Sequence, residues 1–206
     1  MSVARHSNYC PSSGACTHGD SLLMPCHSDD AVFYNASDPS KQPTNNETFT
    51  RNLDRLLQSM YLTFPRTYIN LVMLPEHFDP HITTTHFTCK LFKWYSKLTH
   101  IHWTATSEWI AAIKEYNGIM LDVAARWKAK QLKDFAVVPQ PFMRAAPLTI
   151  ADMDTLDCFH PNLQSHRGMA VALWNNMLAA SVSEKSTNFK SQQVATCPSE
   201  DARLLV

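Results

Sequence analysis

Two short apolar runs, each ended by proline, constrain this chain more than any other feature. "TYINLVML" (67–74) stops at Pro75, and "DFAVVPQPF" (134–142) is cut by Pro139 and Pro141. The first lacks the alternation of a half-solvated strand, which suits a strand buried on both faces; the second reads the same way. Between them "TSEWIAAIKEYNGIMLDVAARWKAKQL" predicts the longest helix, about 107–132. Ser107 is placed to cap it, and Trp109, Ile113, Met120, Val123 and Trp127 form its buried stripe. Asn117-Gly118 in its middle marks a kink. Strand, helix, strand in this order predicts an α/β fold with parallel strands.

The flanks extend the pattern. "NETFTRNLDRLLQSMYLTF" places Phe49, Leu53, Leu56, Leu57 and Met60 at helical spacing, so a helix is expected from about Glu47 to Tyr61, ended by Pro65. "SHRGMAVALWNNMLA" (165–179) predicts a last helix with Ser165 as its cap. Residues 1–47 read as an irregular, Cys-rich segment, 48–180 as the folded domain, and 181–206 as a polar, disordered tail apart from Cys197. Two strands alone do not make a stable covered parallel sheet. Either further strands precede residue 1 in the intact protein, or residues 1–46 hide some, of which they show little sign.

Composition narrows the function classes. The chain has 206 residues, 45% hydrophobic, enough for one globular domain with a core. Lys plus Arg and Asp plus Glu are both 18, so no basic face announces nucleic acid. The ten histidines form no H-x-x-x-H pair on an apolar helix, and the six cysteines (Cys10, Cys16, Cys26, Cys89, Cys158, Cys197) form no C-x-x-C. A zinc site is not indicated. An even cysteine count permits disulfides of open connectivity. Two N-x-[ST] acceptors, Asn35 and Asn46, add to an extracellular or cell-surface, luminal-side reading. "MSVARHSNYC" is no signal peptide, and no apolar stretch spans a membrane. The N-terminus is therefore expected to be incomplete or joined on from elsewhere.

The sharpest segment is "DCFHPNLQSHRGMAVALWNNML" (157–178). Asp157 and His160 stand three apart in a loop before a helix. The carboxylate can accept from the His Nδ1–H, fixing the tautomer, while Nε2 takes a proton from a serine hydroxyl. An isolated D-x-x-H is more often a helix-capping Asp beside a surface His. The flanking residues reverse that balance. This segment resembles the last block of the GDSL, or SGNH, hydrolases, closest to the phospholipase B branch, whose repeats end in a D-C-F-H…A-L-W-N-N-M-L pattern. "FTRNLDRLLQSMYLTFPRTYINLV", "DFAVVPQPF" and Asn8-Tyr9-Cys10 are similar to further blocks, in the same order. One departure is Met169, after Gly168, where the pattern has a second His.

The resemblance implies an SGNH-like, flavodoxin-like three-layer α/β/α fold. It implies a carboxylic ester hydrolase acting on phospholipid or lysophospholipid at a membrane surface, with no metal or organic cofactor and no nucleic acid partner. His160 would be the general base and then acid, and Asp157 its orienter. Five tryptophans (Trp94, Trp103, Trp109, Trp127, Trp174) read as core, with an acyl-groove role left open for some. Cys158 reads as a structural disulfide partner.

The remaining question is the nucleophile. Gly19-Asp20-Ser21-Leu22 spells the family's letters, and the chain length from Ser21 to Asp157 resembles that of its smallest one-domain enzymes. Three features oppose Ser21. The family's serine follows a buried first strand, and "NYCPSSGACTH" does not read as one. No G-x-N-D exists, and no glycine lies between Gly19 and Gly118 to help form an oxyanion hole, where one lost donor costs about 100 to 1,000-fold in rate. Finally, if Asn8-Tyr9-Cys10 ends the family's third block, the true serine belongs before residue 1. The chain is thus expected to be the C-terminal half of a catalytic repeat. The competing expectation is a catalytically dead lipid-binding or structural repeat of a larger ectodomain.

Overall fold

A computed structural model of the protein describes residues 20–25, 46–64, 66–79, 87–91, 94, 107–156, 158, 160–192, 194–199 and 201–204, with backbone alone at 20–25 and 107–109. In chain order the principal elements are β1 (Asp20–Pro25), α1 (Asn46–Thr63), β2 (Thr67–Val72), α2 (Ser107–Ala129), β3 (Phe135–Gln140) and α3 (Leu163–Met177). The protein is mixed α/β. The three strands among the described residues are parallel, in the order β1-β2-β3, and start flush with Asp20, Thr67 and Phe135 in one row.

β1 corrects the expectation that residues 1–47 are irregular. Its only apolar residues are Leu22-Leu23-Met24, a run too short to stand out locally. Pairing with β2 makes it a strand, and that pairing is a tertiary event invisible to periodicity.

Parallel neighbours need a crossover that returns the chain to the same end of the sheet, and α1 and α2 serve that purpose. Both pack on one face. Ile69 and Leu71 of β2 and Phe135 and Val137 of β3 meet Leu53 and Leu57 of α1 and Ile113, Met120, Val123 and Trp127 of α2. Aromatic pairs tie the layer, with Phe49 and Tyr116 centroids 4.6 Å apart and Tyr61 and Phe135 5.3 Å apart. On the other face Tyr68 and Val138 pack against Met177 and Leu173 of α3. β2 is buried on both faces, as its unbroken apolar run predicts.

Other expectations change in detail. Leu56, one of the residues at helical spacing in α1, is 46% exposed, whereas Leu53 and Leu57 are buried. α2 runs unbroken through Asn117-Gly118. Asn117 is fully buried and acts as a bracket: its Oδ1 accepts from Leu74 N at 2.8 Å, and its Nδ2 donates to Leu74 O and Glu76 Oε1, both at 2.9 Å. The amide therefore satisfies backbone groups beyond the end of β2. Among the tryptophans, Trp127 is core, whereas Trp94 and Trp174 are exposed; Trp103 and the Trp109 side chain lie outside the description.

The segment after 181 is not a solvated tail. Consecutive α3 residues hold it. Trp174 Nε1 donates to Thr196 O, Asn175 Nδ2 to Gln192 Oε1 and Val194 O, and Asn176 Nδ2 to Ser186 O. Ser186 N and Thr196 N donate back to the Oδ1 atoms of Asn176 and Asn175. Phe189 is buried against α3, where a Cβ on Gly168 would stand 3.0 Å from its ring. The glycine permits that approach.

Candidate active site

Beyond the C-terminal ends of β2 and β3 lies a second core. Phe142, Leu148, Met153, Cys158, Met169 and Phe189 are buried there, with Val72, the last residue of β2, packed against them. Met169, the departure from the family pattern, is part of this apolar packing. Phe78 and Leu148 form a parallel bridge that extends the β2–β3 pairing past the sheet.

The turn carrying His160 is built on this core. Met153 and Pro161 form an antiparallel bridge, and Asp154 N donates to His160 O at 2.7 Å. Within the turn, Asp154 Oδ1 accepts from Leu156 N at 2.8 Å and Cys158 N donates to Asp154 O at 3.0 Å. Cys158 takes φ 58, in the left-handed region rarely occupied by a non-glycine residue. A disulfide to Cys89 joins it to the helical stretch 87–91, and Thr88 Oγ1 donates to Thr155 O at 2.7 Å. The cross-link and the hydrogen bonds hold the unfavourable backbone in place. Cys158 is thus a disulfide partner, as the sequence suggests.

Below the turn the chain enters α3. Asn162, not Ser165, is its cap: Asn162 Oδ1 accepts from Ser165 N at 3.0 Å, and its Nδ2 donates to Ala151 O at 2.7 Å. Ser165 Oγ is turned back to Asp152 O at 2.9 Å. Asp152 closes the preceding 3-10 turn by accepting from Thr149 N and Oγ1, and pairs with Lys190 at 2.6 Å. His160 therefore sits, exposed, at the foot of a braced turn just before a capped helix. Asp157 lies outside the described residues, as does Asn35.

Ser21 is the second residue of β1 and pairs in register with Tyr68. The strand's C-terminal residue, Pro25, is four positions further on, roughly 13 Å at about 3.3 Å per residue. Pro25 pairs in register with Val72, which packs against the core that includes Cys158 of the His160 turn. Asn46 is the exposed first residue of α1, and its Nδ2 donates to Glu115 Oε1 of α2.

A buried polar cluster joins the α3-facing side of the sheet, and sequence periodicity does not mark it. Gln140 Nε2 donates to Asn70 Oδ1 at 2.6 Å, both residues being wholly buried. Lys185, 6% exposed, donates from Nζ to Pro139 O at 3.1 Å and to Gln140 Oε1 at 3.4 Å. Burial, with Lys128 repelling it, lowers the Lys185 ammonium to about 8. Burial pushes the Tyr68 phenol up to about 12, a hydrogen bond from Gln140 opposing. Asn70 and Gln140 occupy strands read as apolar, and Lys185 falls in a stretch read as tail. Among the described residues no cluster of His, Cys, Asp and Glu is arranged to hold a metal ion, and no helix is long and apolar enough to cross a membrane.

Comparison with known proteins supplies the remaining constraint. The chain has weak to moderate homology to "Phospholipase B1, membrane-associated". It is 36% identical to the rat protein over 103 residues (43% of this chain, 7% of the relative). To the human protein it is 33% identical over 100 residues (45% of this chain, 7% of the relative). The mouse protein is 25% identical over 185 residues, covering 80% of this chain and 12% of the relative. The chain thus spans only a small part of the curated relatives it matches. No protein-family model and no solved structure matches.

Proposed function

We propose that this chain is the C-terminal part of an SGNH-type carboxylic ester hydrolase domain of the phospholipase B kind, acting on fatty-acyl esters of phospholipids or lysophospholipids at a membrane surface. The observation that carries the reading is the exposed His160, held on a cross-linked turn beyond the C-terminal ends of parallel strands, where α/β enzymes place their sites. The similarity to membrane-associated phospholipase B1 points to the same substrate class.

In this reading the His160 imidazole takes the proton of a serine hydroxyl as its oxygen bonds the ester carbonyl carbon. It then gives that proton to the departing alcohol oxygen as the acyl–oxygen bond breaks. Water, deprotonated by the same ring, releases the fatty acid and regenerates the serine. Asp157 orients the ring and stabilises the imidazolium. The strand register of Ser21 favours a nucleophile supplied from elsewhere, because a general base needs its proton donor within about 3 Å. The same register supports the second reading, a repeat that binds lipid without cleaving it. Disulfide bonding and the Asn35 and Asn46 acceptors favour a luminal or extracellular setting; a glycan on Asn46 would require its amide to leave Glu115.

Intact-mass labelling with a fluorophosphonate probe tests the role of Ser21. The chain by itself is expected to remain unlabelled, and stoichiometric labelling abolished by both Ser21→Ala and His160→Ala would overturn that assignment. Joining the chain to a strand-and-serine block should give an esterase whose rate falls about a thousandfold or more in His160→Ala. A joined protein that binds but never hydrolyses lysophospholipid would favour the second reading.

A further inference from the structure

A groove of about 650 Å³ runs along the outer edge of β3, between the C-terminal half of α2 and the turn at 182–187. That size suits a small-molecule site. Its walls are apolar, with Leu121, Ala125 and Leu132 of the α2 side facing Phe135 and Val137 of β3. Among the described residues its charged lining is Lys128, Arg144 and Lys185, with no carboxylate. Arg144 pairs with Glu76 at 2.8 Å, outside the lining. Lys185 is buried and reaches two neutral oxygens, Pro139 O and Gln140 Oε1. A buried ammonium served by neutral acceptors alone leaves part of its desolvation cost uncompensated, which an anion would offset. None of the lining residues belongs to the turn that carries His160.

We propose that this groove binds a single-chain amphiphile with an anionic head, carboxylate or phosphate monoester, its tail against the α2 and β3 walls and its head at Lys185 and Lys128. Charge complementarity selects that occupant: a neutral tail alone gains nothing from Lys185 and Lys128, and a cationic head is repelled by them. The site is separate from the candidate catalytic turn and does not depend on the ester-hydrolase reading.

Calorimetric titration of the full chain, below micelle-forming concentrations, decides the matter. The probes are laurate, dodecyl phosphate, 1-dodecanol and dodecyltrimethylammonium. An anionic probe is expected to bind about tenfold or more tighter than the alcohol, the charged hydrogen bond supplying the difference. The tighter of laurate and dodecyl phosphate identifies the head group. Lys185→Met should erase the preference for the anion. Ala125→Trp, at an exposed helical position, should block all binding while leaving the fold intact. Equal affinity for all four probes, or binding unchanged in Ala125→Trp, overturns the proposal. So does a concentration-dependent dimer that Ala125→Trp abolishes, since the groove would then belong to a second copy.

Discussion

The two faces of β2 and β3 are built on opposite principles. Toward α1 and α2 the strands present Ile69, Leu71, Phe135 and Val137, a layer held by apolar burial. Toward α3 the same strands present Tyr68, Asn70 and Gln140 beside Val138, and a buried lysine completes the set. The first face needs volume and hydrophobicity, which many sequences satisfy. The second needs particular donors opposite particular acceptors, and it tolerates few exchanges. One face fixes stability; the other fixes where the segment after α3 comes to rest.

That contrast can be broken from either side. Leu71, wholly buried in the apolar layer, should cost most. Leu71→Ala removes its side-chain contacts and leaves a cavity, an expected loss of about 2–5 kcal/mol in urea unfolding. On the polar face Gln140→Leu keeps the volume but takes the donor from Asn70 and an acceptor from Lys185. A loss of about 1–3 kcal/mol is expected. Increased hydrogen exchange after residue 181 should accompany it, and an equal or greater stability than the wild type would mean the network is dispensable.

The smallest effect is a dependence on pH. Lys185 is lowered from 10.5 to about 8 in the folded chain. Between those values the unfolded chain holds a proton that the folded chain has released, so stability should climb with pH across the window. Lys128 and Arg144, the cations lining the same groove, stay in place when Lys185→Met is made, and Tyr68 near 12 titrates above the window. The difference between wild type and Lys185→Met in melts from pH 7.5 to 10 therefore isolates this group, and parallel curves would contradict its burial as a cation.

The candidate site was proposed from the sequence for local reasons. Asp157 and His160 stand close in sequence, and the family-like residues around them are contiguous, so the pair could be proposed from the sequence alone. The brace of the turn that carries His160 was not legible. Cys89 lies 69 residues from its partner Cys158, and six cysteines leave many pairings open. Asn162 and Ser165 are both good capping residues at the start of one helix, and only the path of the preceding turn decided between them. The polar face escaped notice because Asn70 and Gln140 are single interruptions in apolar runs. Their pairing belongs to neighbouring strands rather than to either run.

What the chain's own order of residues determined is therefore the set of elements with strong local signals. Apolar runs bounded by proline are strands, and 3.6-residue periodicity makes α1 and α2 amphipathic. Strand–helix–strand order makes the sheet parallel. The tertiary structure alone decided that Asp20–Pro25 is a strand and that Ser21 registers with Tyr68. It also decided that Trp174, Asn175 and Asn176 hold the final segment, and that Lys185 is buried at the edge of β3. The physical reason is the same in each case. A short or polar segment has too little local free energy to fix its own conformation, so it takes the one in which distant partners satisfy its hydrogen bonds.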